Sequence, residues 1–535
     1  MSYSKYKPEM SEDYYDAIFI GSGPGSLCAA AILAKENKKV IVLERHYVPG
    51  GFSHTFKRKN GFEWDVGVHY VGRVNSDEAM IRKTFDYVTD GKLKWDNMGE
   101  IYDVAIIDGV EYKFYDTLEA QIDNLIGHFP DEEDAIRRYF ALVKKFDASV
   151  VMYFGDKALN YWLSGLIGWF LKRKFYKYSD RTTYDVLREL TSNETLIAVL
   201  CAQCGNYGLT PKFSSFAIHA LIVDHYKFGG NYPRGGAASI YRDMIDVIVK
   251  NGGKVAIRAE VKEVIVENRR AKGVELVNGD KIMGKAVVSN AGAKNTFNKL
   301  LPKHAGIPEY IYQELKEISA STSHICLYVG LNKSDEELKL PKWNYWVYKG
   351  EDYEKGYQEY LEDPQNPPLA YISFSSAKDS EWPASHPGKS TIQVLGIASY
   401  DWFAKWEDSK WMKRGDDYEA FKEKLKEGLL QKLYEIVPQT KGHVEVCEIS
   451  TPLSTKHFAN YSRGEIYGLE HTPKRFRVNW LRTKTHIKKF YLTGQDVITV
   501  GVGGALFSGV ITSMALLKKD VFRRILNYEV PAETE

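Results

Sequence analysis

The sequence predicts an α/β fold that carries α+β insertions, and three observations support this prediction. A glycine-rich strand–turn–helix pattern begins near residue 16, and a second glycine-rich pattern lies near residue 500. Alternating apolar runs typical of strands occur between residues 252 and 292 and again between residues 320 and 400. Hydrophobic residues make up 44% of the 535 residues, which is enough for large cores and too little for a protein with several membrane spans.

The first glycine-rich segment predicts a buried parallel strand that turns tightly into a helix. Residues 17–20 form a short apolar run, and Gly21 permits the turn that follows it. Gly23 lets the backbone approach a pyrophosphate, and the helix that begins near Gly25 points its N-terminal amides at that group. Ser26 occupies the third fingerprint position, where its small side chain still permits close packing of the helix on the strand. The segment therefore predicts a Rossmann-like dinucleotide site.

Glu44 supplies the acidic residue that such a site needs. It ends the second predicted strand, at the spacing from the glycine turn at which a carboxylate reaches a ribose hydroxyl. An acid at this position repels a 2′-phosphate, so an NADP-type cofactor is disfavoured. The alternative is an ordinary βαβ unit with a glycine turn. It is disfavoured because the strand, the glycine turn, the helix and the acidic residue all occur at the spacing that a dinucleotide site requires.

The predicted nucleotide-binding domain is discontinuous. Its strands fall in three stretches, residues 12–75, 230–300 and 485–525, with no long linker between them. The intervening residues 76–229 and 301–484 are therefore insertions, which we interpret as a substrate domain associated with a membrane. The first insertion is mainly helical in pattern, whereas the second contains alternating runs that predict an antiparallel sheet.

One apolar and aromatic segment, residues 158–171, is followed directly by the basic residues 172–174. It is shorter than the roughly 20 apolar residues that a membrane-spanning helix needs. An apolar helix with tryptophan and a basic collar is typical of a helix that lies in the membrane interface. A buried helix of the insertion is the other interpretation, and the sequence leaves both open.

Charge and cysteine content exclude several classes of protein. The net charge of +2 predicts no nucleic-acid partner. Five cysteines, an odd number, argue against a disulfide framework, and we interpret Cys201 and Cys204 as two reduced thiols on one helix. No metal site is predicted. The polar N-terminal residues lack the apolar core of a signal peptide, which favours a cytoplasmic protein or one bound to a membrane surface.

Several longer motifs connect these elements to a known family. They are Gly-Gly-x-x-His-Thr-Phe at 50–56, Asp-x-Gly-x-His-Tyr at 65–70, Ala-Gln-x-Gly-x-x-Gly at 202–208, Ser-Phe-x-x-His at 215–219, Ser-Ala-Lys-Asp at 376–379, Thr-Pro-Leu at 451–453, Arg-Gly-x-x-Tyr-Gly at 463–468 and Tyr-Leu-Thr-Gly-Gln-Asp at 491–496. In this respect the chain resembles the flavoprotein family of phytoene desaturases, carotenoid isomerases and retinol saturases. The resemblance covers nearly the whole chain and is strongest to the retinol saturase branch.

The resemblance implies that FAD is the cofactor and identifies the residues expected to bind it. In order around the expected cofactor they are Gly21, Gly23, Gly25 and Ser26 at the pyrophosphate, Glu44 and Arg45 at the adenosine ribose, Val261 at the adenine, Asp496 at the ribityl–phosphate region, Gly50 and Gly51 along the flavin, and Gly503, Gly504 and Ala505 at the start of the last helix. A helix N-terminus at that last position stabilises negative charge on a reduced flavin.

The resemblance also implies a reaction, namely hydride transfer at a C=C bond of a long apolar polyene, as a saturase or a desaturase. A flavin-dependent cis–trans isomerase and a non-catalytic polyene-binding protein are the alternatives. No second nucleotide fingerprint is present, so a carrier protein or a quinone is the expected electron partner. His69 and Tyr467 are the candidate proton donors, with local packing as the alternative for each. Glu465 and His471 are expected to serve local packing.

Overall fold

The computed structural model describes residues 2–159 and 161–531 of the chain. In this described part, six strands form a parallel sheet, here called the parallel sheet. Across the sheet their order is Ser4–Lys5, Lys254–Ile257, Val40–Glu44, Ala17–Ile20, Val287–Ser289 and Phe490–Leu492. The predicted fold class is confirmed, because a parallel sheet assembled from distant stretches lies beside a second, largely antiparallel sheet. The strand Ser4–Lys5 lies outside the three predicted stretches, and the domain boundaries themselves stay a prediction.

Three helices cover the parallel sheet, Pro24–Lys35, Ala238–Lys250 and Gly501–Leu517. The first is buried along almost its whole length, because it packs against the other two. Glycine makes the closest contact possible, since a Cβ atom at Gly509 would lie 2.5 Å from the carbonyl oxygen of Gly25. The last helix therefore rests directly on the helix that follows the glycine turn.

A mixed sheet of seven strands forms the second layer of the described residues. Its order is Val110–Tyr115, Ile101–Ile107, Asn344–Tyr348, Leu369–Ser373, Ser390–Ala398, Ser323–Leu331 and Val444–Ser450. All neighbours are antiparallel except Ile101–Ile107 and Asn344–Tyr348. The alternating runs predicted between residues 320 and 400 are strands of this sheet.

The hairpin of residues 101–115 was not predicted, because it lies within the insertion whose pattern is mainly helical. Its turn is Asp108-Gly109, and both residues have positive φ angles, 50° and 80°. An Asp-Gly pair between apolar runs is a strong hairpin signal. The hairpin could therefore have been predicted from the local sequence.

The remaining elements surround these two sheets. The longer helices are Met80–Thr89, Leu118–His128, Glu133–Ala158, Tyr161–Ser179, Thr183–Arg188, Glu194–Leu200, Phe216–Tyr226, Glu309–Glu317, Tyr353–Glu362, Asp416–Ile436, Pro452–Ala459 and Val521–Leu526. Smaller sheets comprise Val261–Glu267, Arg270–Leu276, Lys281–Gly284 and Tyr14–Tyr15; Val71–Gly72, Gly230–Pro233 and Trp95–Asn97; and Thr55–Lys57 with Glu63–Asp65. Short helices are Ala293–Asn295, Ser375–Lys378, Trp382–Ser385 and Pro473–Arg477.

The two cysteines of the CxxC motif do not share one helix, so that detail of the prediction was wrong. The helix ends at Leu200, Cys201 caps it, and Cys204 begins the next helical turn. Gly205 and Gly208 follow at once and disfavour continuation of the helix. Both thiols are buried and free, as expected for structural cysteines.

The apolar segment of residues 158–171 is divided between two helices. Ala158 ends one helix, and the next begins at Tyr161 and runs to Ser179. Its large apolar side chains point outward, with Trp162 73% and Trp169 70% exposed. A buried helix is therefore the wrong interpretation for this face. Within residues 2–159 and 161–531, no helix has the length and hydropathy needed to cross a bilayer.

Candidate active site at the junction of two cavities

A cavity of about 670 Å³, here called the cofactor cleft, lies at the carboxyl ends of the parallel strands. Its walls include Gly21, Glu44, Ala259 and Asn290, each at or just after the end of a parallel strand. In open α/β sheets, ligands bind in the crevice outside these strand ends. The geometry of the cleft is therefore that of a nucleotide site.

The Glu44 side chain ties the glycine turn to the second strand. Its carboxylate accepts hydrogen bonds from the Ser22 backbone N–H at 2.9 Å, from the Ser22 hydroxyl at 2.6 Å and from the His46 N–H at 2.8 Å. The Ser22 hydroxyl oxygen in turn accepts from the Gly50 N–H at 2.9 Å. One buried carboxylate thus fixes the glycine turn directly and, through Ser22, the Gly50–Gly51 segment.

The glycines keep the wall of the cleft free of side chains. A Cβ atom at Gly23 would lie 2.8 Å from the side-chain nitrogen Nδ2 of Asn290, and one at Gly51 would lie 3.0 Å from the Cα atom of Gly23. Gly21 and Gly51 have φ angles of +88° and +56°, which favour glycine. Bare backbone beside a helix N-terminus, opposite a carboxylate, suits a ligand that carries phosphates and a ribose.

The predicted cofactor residues fall into three groups. Those that line the cofactor cleft are Gly21, Gly23, Glu44, Arg45, Gly51, Val261 and Ala505. Gly503 and Gly504 line a second, larger cavity. The remaining predicted residues line neither cavity; they are Gly25, Ser26, Gly50 and Asp496.

Packing explains this last group. A Cβ atom at Gly25 would lie 2.9 Å from the Gly494 nitrogen, and one at Gly50 would lie 2.6 Å from the ring of Tyr241. The Asp496 carboxylate accepts hydrogen bonds from the backbone N–H groups of Ala293 and Leu469, at 2.7 and 2.8 Å. Their direct contact with a cofactor stays a prediction.

The second cavity, here called the substrate cavity, has a volume of about 1540 Å³. It lies between the helices of residues 133–158 and 216–226 and one face of the mixed sheet. Its lining is largely apolar and includes Val150, Phe154, Leu221, Ile222, Trp346, Leu395 and Phe507. A ligand cavity for a drug-sized molecule measures roughly 300–1,000 Å³, so this one suits a long apolar molecule.

The two cavities meet. The residues that line both are Gly67, Val68, His69, His324, Leu395, Ile466, Tyr467, Gly501 and Val502. Both predicted catalytic side chains, His69 and Tyr467, therefore lie where cofactor and substrate would come together. His471 and Glu465 line neither cavity. Instead, the His471 ring accepts from the Val500 N–H at 3.3 Å, and Glu465 accepts from the Arg463 N–H at 2.8 Å.

The two junction side chains differ in how they are held. Both ring nitrogens of His69 are buried and make no hydrogen bond within the described part of the chain. Burial, together with the nearby Lys378 ammonium, lowers the pKa of His69 to about 3, so its ring is neutral. The Tyr467 hydroxyl donates to the carbonyl oxygen of Gly205 at 3.0 Å, and burial raises its pKa.

The contribution of the mixed sheet to the junction was not predicted. His324 and Leu395 come from neighbouring antiparallel strands, at Ser323–Leu331 and Ser390–Ala398. A histidine inside an apolar strand is the only local signal for His324. The proximity of the two strands to the glycine turn depends on how the insertion folds back.

Comparison with known proteins agrees with this geometry. A family model described as flavin containing amine oxidoreductase matches residues 27–517. The chain belongs to this family. The resemblance found in the motifs is confirmed: all-trans-retinol 13,14-reductase of Danio rerio is 37% identical over 532 residues, which is 95% of this chain and 86% of that protein. Prolycopene isomerase of Daucus carota is 27% identical and aligns over 93% of this chain and 79% of its own length.

A solved structure shows the same fold. An oxidoreductase from Methanosarcina mazei superposes with a TM-score of 0.59 at 17% identity, covering 94% of this chain and all of the other. The family match and the geometry of the cofactor cleft both indicate FAD. This protein is an FAD-dependent oxidoreductase, as the motifs implied.

Proposed function

We propose that this protein reduces a C=C bond in a long apolar polyene of the retinoid type. One observation carries the proposal: an apolar cavity of about 1540 Å³ opens into the cofactor cleft at the segment that contains His69. The relatives support the substrate class, because one is named for a reductase of retinol and another for an isomerase of a carotenoid. The apolar walls would bury a polyene and exclude water from the reacting bond.

The residues of the chain divide the work between the two cavities. Bound FAD supplies hydride transfer. Gly21, Gly23 and Glu44 would hold its pyrophosphate and ribose through the backbone and the carboxylate of the cleft. The helix Gly501–Leu517 begins at the junction, and its positive N-terminal end stabilises negative charge there. His69 and Tyr467 line both cavities, so they would border the reacting bond and help to fix the polyene in place.

We also propose that a carrier protein or a quinone supplies the electrons. The sequence contains one dinucleotide fingerprint, at residues 21–26, and the cleft beside it is assigned to FAD. A nicotinamide donor would need a second site of this kind.

Reduction of a polyene is tested with the flavoprotein itself. The photoreduced protein, mixed with all-trans-retinol without oxygen, is expected to regain the absorbance of oxidised flavin while the retinoid gains the mass of H2. Stopped-flow absorbance and mass spectrometry of the product measure both. An isomerase would change the geometry of the double bond at constant mass with the flavin still reduced. A non-catalytic binding protein would change neither, and either outcome contradicts the proposal.

An exposed apolar patch lies beside the substrate cavity. It consists of Val151, Trp162, Leu166, Ile167, Trp169 and Phe170, which are between 43% and 78% exposed. Val151 also lines the substrate cavity, so the patch adjoins its wall. The Arg173 guanidinium lies 5.0 Å from the ring of Phe170, at the edge of the patch. We propose that this patch docks on a membrane surface, from which an apolar substrate would enter.

Membrane docking predicts a loss of vesicle binding when the patch becomes polar. In the double variant Trp162→Glu and Trp169→Glu we expect binding to weaken by at least about tenfold, because burying one large apolar side chain is worth about 1.5–3 kcal/mol. Co-sedimentation with phosphatidylcholine–phosphatidylserine vesicles measures it. The control is Tyr14→Glu with Val277→Glu, two side chains 57% and 61% exposed outside the patch. Equal binding by both double variants would contradict the proposal.

A further inference from the structure

Three of the family motifs meet at one buried carboxylate, that of Asp103. Tyr70 donates its hydroxyl proton to this carboxylate at 2.8 Å, and Gln203 donates an amide N–H at 2.7 Å. The Asn344 amide donates to the other carboxylate oxygen at 2.8 Å, and its own oxygen accepts from the Lys378 ammonium. We call these five residues the Asp103 network. Asp103 itself has no exposed surface.

The network reaches the substrate cavity through Tyr70. Tyr70 and Asn206 both line that cavity, and the Asn206 amide donates to the Tyr70 hydroxyl oxygen at 3.1 Å. The Tyr70 ring is held by stacking on Tyr226, with ring centroids 4.4 Å apart. Residues 67–69, just before Tyr70, line both cavities. Tyr70 thus lines the cavity beside the junction where the cofactor would meet the substrate, and its hydroxyl lies between the cavity-lining Asn206 and the buried Asp103.

Burial shifts the pKa values of the titratable groups of the network in different directions. It raises the pKa of Asp103 to about 6 and that of Tyr70 well above its usual value. It lowers the pKa of Lys378 to about 7, although the nearby carboxylates of Asp103 and Asp65 act to raise it. The titratable groups that interact with Asp103 or Tyr70 from the surrounding elements are Tyr102, Tyr226, Tyr371 and Lys378. Asp65 and His69 interact in turn with Lys378.

We propose that the Asp103 network is the proton source for reduction of the C=C bond, with Tyr70 as the catalytic acid and Asp103 as the group that reprotonates it. This inference rests on the proposed function. Hydride adds to one carbon, and the neighbouring carbon takes the Tyr70 hydroxyl proton as that O–H bond breaks. This step needs the protonated form of Asp103, in which the hydrogen bond between the two groups is reversed: Tyr70 turns its O–H toward the substrate, and the Asp103 carboxylic acid donates to the Tyr70 oxygen and then passes its proton to it. The resulting carboxylate is stabilised by the amide N–H groups of Gln203 and Asn344, and water reprotonates it after the product leaves.

The catalytic role of Tyr70 is tested with Tyr70→Phe, which keeps the stacked ring and removes the oxygen. We expect the anaerobic single-turnover rate to fall by roughly 10²- to 10⁴-fold, the usual contribution of a general acid. FAD content and retinol affinity, measured by flavin absorbance and fluorescence quenching, are expected to stay within about threefold. The matched control is Tyr6→Phe, because the Tyr6 hydroxyl also donates to an aspartate, Asp280, at 2.9 Å. A Tyr70→Phe rate within about threefold of the parent overturns the inference.

The role of Asp103 is tested with Asp103→Asn, which cannot titrate. Because the protonated carboxyl is required, kcat/KM of the parent enzyme is expected to fall as pH rises through about 6, and Asp103→Asn should lose this limb. Infrared spectra of the protein without substrate provide a second readout. Burial also raises the pKa values of Asp65 and Asp243 to about 6, so the readout is the amplitude of the carboxylic-acid C=O absorbance that disappears near pH 6. This amplitude should be smaller by one carboxyl group in Asp103→Asn than in the parent and in the control Asp280→Asn. An unchanged pH limb or amplitude in Asp103→Asn overturns the inference.

These readouts separate the two proposals. If the parent enzyme reduces no polyene, the proposed function fails, whatever the infrared titration shows. If the parent reduces retinol and Tyr70→Phe does so equally well, only the proton source is wrong.

Discussion

The variant Glu44→Gln is expected to lose FAD. The Glu44 carboxylate receives three hydrogen bonds, two from Ser22 and one from His46, and its side chain is buried. A glutamine of the same size offers one oxygen and places an NH2 group against a backbone N–H. Each buried donor left without an acceptor costs about 1–3 kcal/mol, and the glycine turn loses its fixed position. The ratio of flavin absorbance to protein after purification measures the loss.

The control for this variant is Glu263→Gln, at an exposed position on a strand outside the cleft. It should retain its flavin. Circular dichroism establishes that both variants fold. A folded Glu44→Gln protein with full flavin content would show that the carboxylate neither orders the cleft nor contacts the ribose.

Asp156→Ala is expected to give the largest loss of stability. The Asp156 carboxylate accepts a hydrogen bond from Arg482 at 3.1 Å and lies 3.4 Å from the Lys172 ammonium. Arg482 also donates to Ser164, at 2.9 Å, and so joins the helix that bears the apolar patch to the rest of the chain. Asp156 and Arg482 are buried, so removing the carboxylate leaves cations without a counter-charge. Breaking a buried pair in this way costs about 3–5 kcal/mol of unfolding free energy.

Urea unfolding, followed by tryptophan fluorescence, measures this cost. The comparison is Asp134→Ala, which removes a surface pair with Arg138 on the same helix. Exposed pairs of this spacing contribute about 0.3–0.5 kcal/mol. A loss of less than about 1 kcal/mol in Asp156→Ala would mean that water or another group replaces the carboxylate.

The cofactor cleft could be predicted from the sequence because its signals are local. Gly21, Gly23 and Glu44 lie within one βαβ unit, whose geometry fixes their mutual distances. The same reasoning did not distinguish the residues that line the cleft from those that only pack behind its wall. Gly25 belongs to the same fingerprint, yet it faces Gly494, a residue near the other end of the chain. No local pattern reports which glycine faces the cleft.

The Asp103 network could not be predicted. Asp103 is a single acid within the apolar strand Ile101–Ile107, which local sequence does not distinguish from an ordinary strand residue. Its partners Gln203 and Asn344, and Lys378, which donates to Asn344, come from three other segments of the chain, and only tertiary folding brings them together. The motifs did contain Tyr70, Gln203 and Lys378, but sequence alone gave no reason to join them.

The edge strand Phe490–Leu492 completes the parallel sheet, and the helix Gly501–Leu517 covers it. The glycine turn of the same nucleotide site is synthesised almost 470 residues earlier. Domains generally fold as units during synthesis, so a domain built from distant stretches of the chain is completed only when its last stretch has been made. The nascent chain must therefore carry an unfinished nucleotide site while the whole intervening region is synthesised and folded. We therefore expect capture of FAD to come late in biosynthesis, because a chain that ends before residue 490 lacks both the edge strand and the last helix of the nucleotide site.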